Sequence, residues 1–324
     1  MRRPFRPGMR RHNRTVGLNT RVRTKNAGIH WGGSKMVLAD RCLAPGARDG
    51  QKQKAGKRVM DGTGQDRPVA LVTGAGGGLG GGIVRAMAAK GYRVVLNDLA
   101  DSDALSALQA ELTAAGTPCT TVLQDVARVE EIDDFAERVF AAYGQLDCLI
   151  NNAGVSVMSR GDIMNVTSDS FDRCIDVNLR APFFLSQAVA RRWLAGPRPN
   201  AASRRRSIVT ISSVSANDTF VGSALAEYVI SKSALPALVR HFAARLVTDG
   251  IDCYEVRPGM MATAMTQGQN ARYDKLIAEG FVPARRWGKV EEVGEVVANL
   301  ATGMLSFAVG QAICLDGGMM LKVL

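Results

Sequence analysis

The sequence predicts an α/β protein: one doubly wound parallel sheet with helices on both faces. Three observations carry this. Short apolar, β-branched runs alternate with amphipathic segments from Arg67 to Leu324. A run of glycines separates the first strand-like run from the first helical one. No internal repeat divides the chain. Such alternation argues for parallel strands joined by helical crossovers, which pack right-handedly on both sheet faces.

The first strand is Pro68-Val-Ala-Leu-Val-Thr73, a continuous apolar run of the kind buried on both faces. It feeds Gly74-Ala-Gly-Gly-Gly-Leu-Gly80, then Gly81-Gly82 and a helical stretch that stops at Gly91. Glycines between strand and helix allow a tight turn and let backbone N–H groups approach a pyrophosphate at the helix N-terminus, as in Rossmann-type folds. Two registers fit. Gly76, Gly78 and Gly81 match G-x-G-x-x-G; Gly74, Gly78 and Gly80 match T-G-x-x-x-G-x-G. The second is preferred because Thr73 closes the strand. Gly81 and Gly82 count against a stable first turn, each by up to about 1 kcal/mol relative to Ala.

The second strand, Tyr92–Asn97, ends at Asp98. That carboxylate has the spacing of a group bonding adenosine ribose hydroxyls, and it repels a 2′-phosphate. Neither Gly77 nor Leu99 supplies a cation to attract one. NAD(H) is therefore favoured over NADP(H). Further strands are expected near 119–124, 147–151, 207–212, 251–256 and 311–315. Helices are expected near 79–90, 102–115, 129–143, 168–194, 226–248 and 290–302. Residues 264–285 form an amphipathic insert with Met265, Tyr273, Leu276 and Phe281.

Tyr228-Val-Ile-Ser-Lys232 sets a phenol and an ammonium one helical turn apart on one face. None of the other four tyrosines has Lys at that spacing. A tyrosine of ordinary pKa, about 10, is a poor acid or base at neutral pH, and a fixed positive charge lowers that value. The pair is expected to act as a tuned general acid/base.

With both motifs in place, the chain from about Arg67 to Leu324 resembles the short-chain dehydrogenase/reductase family. Thr73-Gly74 through Gly80, including Leu79, matches its coenzyme turn; Asp125-Val126 matches its adenine-contacting pair. Asn151-Asn152-Ala153-Gly154 matches its NNAG segment, and Asn178 its proton-relay asparagine. Ser213 matches the catalytic serine, followed by Tyr228 and Lys232. Pro258-Gly259, Met261 and Thr263 match the segment over the nicotinamide. Arg286-Trp-Gly, Glu291-Glu292-Val and Gly310-Gln311 through Gly318 look like the C-terminal part of 3-oxoacyl-acyl-carrier-protein reductase-like members.

The resemblance implies hydride transfer between NAD(H) and a carbonyl or secondary alcohol. Tyr228 would exchange the proton, Ser213 would hold the substrate oxygen, and Lys232 would bond the nicotinamide ribose. Asn178 would hold a relay water, Leu99 would contact the coenzyme, and residues 264–285 would form a flap. It also implies a homo-oligomer, tetramer or dimer, in the cytoplasm. Two departures stand out. No Arg occupies Gly77, where NADPH-using acyl-carrier reductases often carry one. The interval from Ser213 to Tyr228 is longer than usual, so Ser212 and Ser215 stay open as catalytic serines. The enzyme alternative is an NADPH-dependent 3-oxoacyl reductase served by acyl carrier protein. An alternative of another class is a non-catalytic dinucleotide sensor with a polyanion-binding leader.

Charge is unevenly placed. The net +11 comes from residues 1–66, which hold 16 Lys/Arg against 4 Asp/Glu; the remainder holds 25 against 26. The folded part gives no nucleic-acid signal. The leader is Arg- and Gly-rich, lacks periodicity, and is expected to be disordered. Arg2-Arg3-Pro4-Phe5 looks like a twin-arginine signal, but no apolar stretch follows; a mitochondrial presequence is opposed by a single serine, Ser34. The plainest expectation is an inert leader, or upstream sequence before a start at Met60. The basic triplet Arg204-Arg205-Arg206 precedes the fifth strand and is expected on a loop.

Six cysteines at 42, 119, 148, 174, 253 and 314 form no ligand spacing. Cys119, Cys148, Cys253 and Cys314 are expected to be small buried residues in a reducing compartment. The three histidines belong to no metal or Ser-His-Asp pattern, His241 is expected to be structural, and no run is long enough to span a membrane.

A protein beginning at Met60 should fold, bind coenzyme and turn over like the full chain. Loss of soluble protein or of coenzyme binding on that deletion, measured by fluorescence titration, would show that the leader packs on the enzyme part.

Overall fold

The computed structural model describes residues 67–196, 205–217, 224–268 and 270–321. The leader, Arg204 and most of the loop before the fifth strand lie outside them.

Seven parallel strands form one sheet: β1 (Val69–Thr73), β2 (Arg93–Asn97), β3 (Cys119–Thr121), β4 (Cys148–Asn151), β5 (Arg206–Ile211), β6 (Ile251–Pro258) and β7 (Ala312–Leu315). Their order is β3-β2-β1-β4-β5-β6-β7. The chain winds outward from β1 to β3, returns to lay β4 beside β1, and winds the other way. The switch point therefore lies between β1 and β4, where Leu71 pairs Leu149, and ligands of open α/β sheets bind outside the carboxyl ends there.

Successive strand residues face opposite layers. Val69 and Leu71 join Phe135, Leu185, Val189, Trp193 and Leu238 on one face. These come from α3 (Ile132–Tyr143), α5 (Ala181–Ala195) and α7 (Leu235–Leu246). Ala70 and Val72 join Ile83, Met87, Leu105, Val293 and Val297 on the other. These come from α1 (Gly78–Ala89), α2 (Asp103–Ala114) and α10 (Val290–Ala301). Ser102 caps α2 by accepting from Leu105 N at 3.2 Å.

Two long expected helices are interrupted, and proline explains both. The stretch 168–194 divides into α4 (Ser168–Ile175), a π-helical turn (Asp176–Arg180) and α5. Pro182 has no N–H to give the C=O of Asn178, the α-helical acceptor four residues earlier. The stretch 226–248 divides into α6 (Ala226–Ser233) and α7, with Pro236 in the first turn of α7. The insert holds α8 (Ala264–Gln267) and α9 (Asn270–Ala278).

Other expectations need correction. β3 ends at Thr121 rather than near 124, although Gln124 N still bonds Asp98 O at 3.0 Å. Cys148 and Cys253 are buried as expected, but Cys119 is half-buried and Cys314 exposed because β3 and β7 are edge strands. His241 is exposed on α7. Arg205 and Arg206 are not free loop cations. Arg205 grips Asp252 through two bonds of 2.5 and 2.6 Å, and Arg206 lies over Trp193 and bonds its C=O.

Gly82 has a use that propensity hides. A Cβ on Gly294 would collide with Gly82 O, and a Cβ on Gly82 would meet Val290 O at 2.7 Å. The two glycines let α1 and α10 cross backbone to backbone. Gly294→Ala should therefore destabilise by about 1–3 kcal/mol, the usual cost of overpacking, in urea unfolding. Without that contact the exchange would stabilise a helix interior by up to ~1 kcal/mol, so the sign of the change decides.

Candidate active site

Strands β1, β4, β5 and β6 end at one cavity of about 390 Å³. Its far end is the glycine turn. The helix α1 begins at Gly78, with Gly77 as a cap that offers no side chain and no acidic residue in the first turn. Its N-terminus is thus left for an anion. Gly80 does not line the cavity. It permits the turn, because a Cβ there would run into Gly74 O. Together with Gly74 at φ +63° and Gly78 at φ +51°, this favours the T-G-x-x-x-G-x-G register.

Asp98 lines the same cavity. Its Oδ2 accepts Gly76 N and its Oδ1 accepts Leu99 N, each at 2.8 Å. The turn and the carboxylate are therefore fixed to each other. Leu99 itself is 67 % exposed and lies off the cavity. Asp125 and Val126 also lie off it: Asp125 bonds Ala127 N at 2.9 Å, and Val126 is buried in the core.

Thr73 clasps the ends of β1 and β4. Its hydroxyl accepts from Asn152 N and Ala153 N, each at 3.0 Å. Asn152 spends both amide protons on Thr73 O and Gly74 O. Ala153 and Gly154 follow into the cavity wall.

Ser213, Tyr228 and Lys232 line the cavity away from the turn, and Pro258, Gly259, Met261 and Thr263 also line it, with Thr263 reaching the turn at Gly78. Ser213 lies close enough to the Tyr228 phenol to pull its pKa down and accepts Ser215 N at 3.1 Å. Ser212 points elsewhere: its hydroxyl bonds the buried Glu255 carboxylate at 2.5 Å, and Arg257 completes that buried pair. Among the three serines the geometry thus favours Ser213.

One expectation is reversed. The Tyr228 pKa is raised, not lowered; burial pushes it up, and the Ser213 hydrogen bond pulls the other way. Lys232 Nζ lies over the ring, 5.9 Å from its centroid, and donates to Ile211 O at 3.1 Å. Burial pushes the Lys232 pKa down to about 8. Asn178 does not line the cavity. Its amide donates to Val155 O and Ser231 Oγ, and its Oδ1 accepts Val155 N. Ser231 in turn bonds Tyr228 O at 2.7 Å, so Asn178 braces the helix that carries Tyr228.

Gly77, Ile211, Ala264, Met265 and Thr266 also line the cavity. Ile211 acts through its C=O, which no residue-type pattern can signal. In the insert, Tyr273 packs edge-on against Trp287 at 5.8 Å, and Trp287 bonds Asp274.

A family model described as "Enoyl-(Acyl carrier protein) reductase" matches residues 74–320. The chain belongs to the short-chain dehydrogenase/reductase family. A 3-oxoacyl-[acyl-carrier-protein] reductase of a Synechocystis species is 31% identical, covering 78% of this chain and 97% of the relative. Gluconate 5-dehydrogenase of Gluconobacter oxydans is 32% identical, covering 77% and 93%. The crystal structure of a 3-oxoacyl-[acyl-carrier protein] reductase from Brucella melitensis in complex with NAD has a TM-score of 0.75 and 43% identity, covering 80% and 99%. As a family member the protein is an oxidoreductase that transfers hydride between a nicotinamide coenzyme and a carbonyl or alcohol. Among the described residues, no helix is long and apolar enough to cross a membrane.

Ser213→Ala and Ser212→Ala separate the two serines. The first should cut kcat by about 10²-fold or more, as for a lost oxyanion-type donor. The second should mainly lower Tm, because it strips a partner from the buried Glu255. Equal losses of kcat at unchanged Tm would contradict this division.

Proposed function

We propose that the protein is an NAD(H)-preferring oxidoreductase in which Tyr228 moves the proton, Ser213 holds the substrate oxygen and Lys232 holds the ribose. The observation that carries this reading is the meeting of Ser213, Tyr228 and Lys232 at one end of a cavity whose other end is Asp98 and the uncapped start of α1.

Bound NAD(H) supplies the hydride donor or acceptor. The N-terminus of α1 would hold its pyrophosphate, and Asp98 its adenosine ribose. Each Asp98 oxygen accepts one backbone N–H, which leaves lone pairs for ribose hydroxyls. Lys232 has one acceptor, Ile211 O, and further protons free for the other ribose. Asp125 and Val126 would flank the adenine from the segment that follows β3.

In reduction Tyr228 gives its proton to the developing alkoxide. A raised pKa suits that acid role, because the phenol stays protonated at neutral pH. Ser213 donates to the same oxygen and, as the group that pulls the Tyr228 pKa down, prepares the phenol for the reverse step. Lys232, with a pKa of about 8, remains largely charged at neutral pH and balances negative charge on the phenolate. Asn178 has no amide proton left for a water, so its side group positions α6. A relay water would meet its backbone carbonyl, deprived of an α-helical donor by Pro182.

The second reading is an NADPH-dependent 3-oxoacyl-acyl-carrier reductase, favoured by the likeness to enzymes of that name; related structures are known with NAD and with NADP. Against acyl-carrier docking, Arg205 and Arg206 are engaged with Asp252 and Trp193. A sensor role is disfavoured because it needs no proton-transfer set. The same reading includes a cytoplasmic homo-oligomer, supported by the exposed Phe183 and Phe184 on α5.

Asp98→Ala tests the coenzyme assignment. The kcat/KM ratio of NADH to NADPH should fall by about 10- to 10²-fold, the size of a like-charge repulsion of roughly 1.4–3 kcal/mol. A native enzyme that prefers NADPH would overturn it.

A further inference from the structure

Strand β6 is buried along its whole length, yet it carries Glu255 and Arg257 at alternate positions. Glu255 is 2 % exposed and Arg257 8 %. They form a bidentate pair: Arg257 Nε donates to Glu255 Oε1 at 2.7 Å, and Nη2 to Oε2 at 2.9 Å. Ser212 Oγ gives Oε1 a third bond. Burying two charges is costly, and such pairs add little stability over apolar residues of similar volume. The mechanism above uses neither residue.

Their position supplies a use. Lys232 Nζ bonds Ile211 O at 3.1 Å. Glu255 bonds the hydroxyl of the next residue, Ser212. The ammonium and the carboxylate are thus anchored one residue apart at the end of β5. Arg257 sits beside Cys314, its register partner on β7, which lies on the other side of β6 from β5. Across the sheet the order is therefore Lys232, the Glu255 carboxylate, then Arg257.

Other groups around Lys232 do not supply a negative charge. Cys174 of α4 faces it, but burial pushes that thiol up, so it stays neutral. The Tyr228 phenol is also pushed up. Asp169, Asp172 and Arg173 on α4, and Arg240, His241 and Arg245 on α7, are exposed. Asp176 and Arg180 of the π-helical turn bond each other at 2.9 Å. Glu227 is buried on α6 but bonds Ser170. Among the described residues, Glu255 is the carboxylate whose charge acts on Lys232.

Resting on the oxidoreductase reading above, we infer that Glu255 is a positioning residue of the enzyme: its buried carboxylate, held by Arg257 and Ser212, is the counter-charge that keeps Lys232 an ammonium for ribose binding and proton transfer. A negative charge nearby favours the ammonium. Removing it must lower the pH at which Lys232 loses its proton.

The test labels lysine Cε with ¹³C in the full chain and titrates the coenzyme-free protein by NMR. One resonance, missing from Lys232→Arg, should have a midpoint of about 8. Ordinary lysines titrate near about 10.4. In Glu255→Gln, which keeps the size and hydrogen-bonding groups, the Lys232 midpoint should fall by about one pH unit, tenfold in proton affinity. Ser212→Ala keeps the carboxylate. It should lower Tm and leave the midpoint within about 0.3 pH unit of the native value. The double variant Glu255→Gln/Arg257→Met leaves no unpaired buried charge at the pair and guards against misfolding of the single one. Its midpoint should also lie below the native value. The NADH Kd, followed by fluorescence over the same range, should begin to rise about one pH unit earlier in Glu255→Gln than in the native protein. A midpoint unmoved in Glu255→Gln and in the double variant overturns the inference. So does an equal fall in Ser212→Ala, which would make the effect one of packing. An NADH Kd that ignores the Lys232 midpoint, with the Glu255→Gln shift intact, overturns the ribose role of Lys232 and leaves the counter-charge standing.

Discussion

The site depends on the junction where β1 and β4 end side by side. There the backbone must leave one strand for the glycine turn and the other for the cavity wall at Ala153 and Gly154. Thr73 joins the two exits with one hydroxyl that receives Asn152 N and Ala153 N. Asn152 returns two bonds to Thr73 O and Gly74 O. A parallel sheet cannot satisfy the backbone groups beyond its last rung, and buried N–H and C=O groups left unpaired are costly. The clasp meets that demand and fixes the glycine turn relative to Gly154 and the lysine beyond it. Asp98 adds the third tie, from β2 to the turn. Three strand ends thereby become one rigid rim.

On that rim the protein separates two tasks by burial. The glycine-turn end keeps Asp98 part-exposed and bonded to two backbone N–H groups. The opposite end withdraws Tyr228 and Lys232 from water, and both respond in the direction that favours the neutral form. The lysine sits over the ring rather than beside the hydroxyl, so Ser213 is the group acting directly on the phenol. The pair is therefore less a lysine tuning a tyrosine than two desolvated groups sharing one low-dielectric place.

Much of the fold is legible in the sequence because it follows from local pattern. β1, β2 and β4 are built on continuous apolar or β-branched runs, β6 is apolar at Ile251, Cys253, Tyr254 and Val256, and the expected bounds of all four fall within two residues of those observed. The breaks at Pro182 and Pro236 are not legible in this way, because the amphipathic period continues through both. At the site, Gly74, Gly78, Asp98, Ser213, Tyr228 and Lys232 can be named because each acts through residue type at a recurring spacing. Gly82 and Ile211 cannot. Gly82 matters through its close crossing with Gly294, some two hundred residues away. Ile211 contributes a C=O that any residue could supply. Nor does the pattern show which groups the fold withdraws from water. The direction of the Tyr228 shift is hidden for the same reason: spacing places Lys232 on the same face but says nothing of where its ammonium points.

The interruption at Asp176–Arg180 shows how a local cost becomes part of the machinery. A proline one turn inside a helix sacrifices a backbone bond, and π-helical turns of this kind recur at functional sites. Here the freed C=O belongs to Asn178, whose amide group is fully engaged in holding Val155 and Ser231. The same residue thus braces α6 through its side chain at the point where the helix widens its turn. A regular helix through Pro182 would have set Asn178 O against a residue with no N–H. The wider turn at Asp176–Arg180 absorbs the proline while the asparagine amide stays fixed against α6, which is a physical reason for the two residues to stand four apart in this sequence.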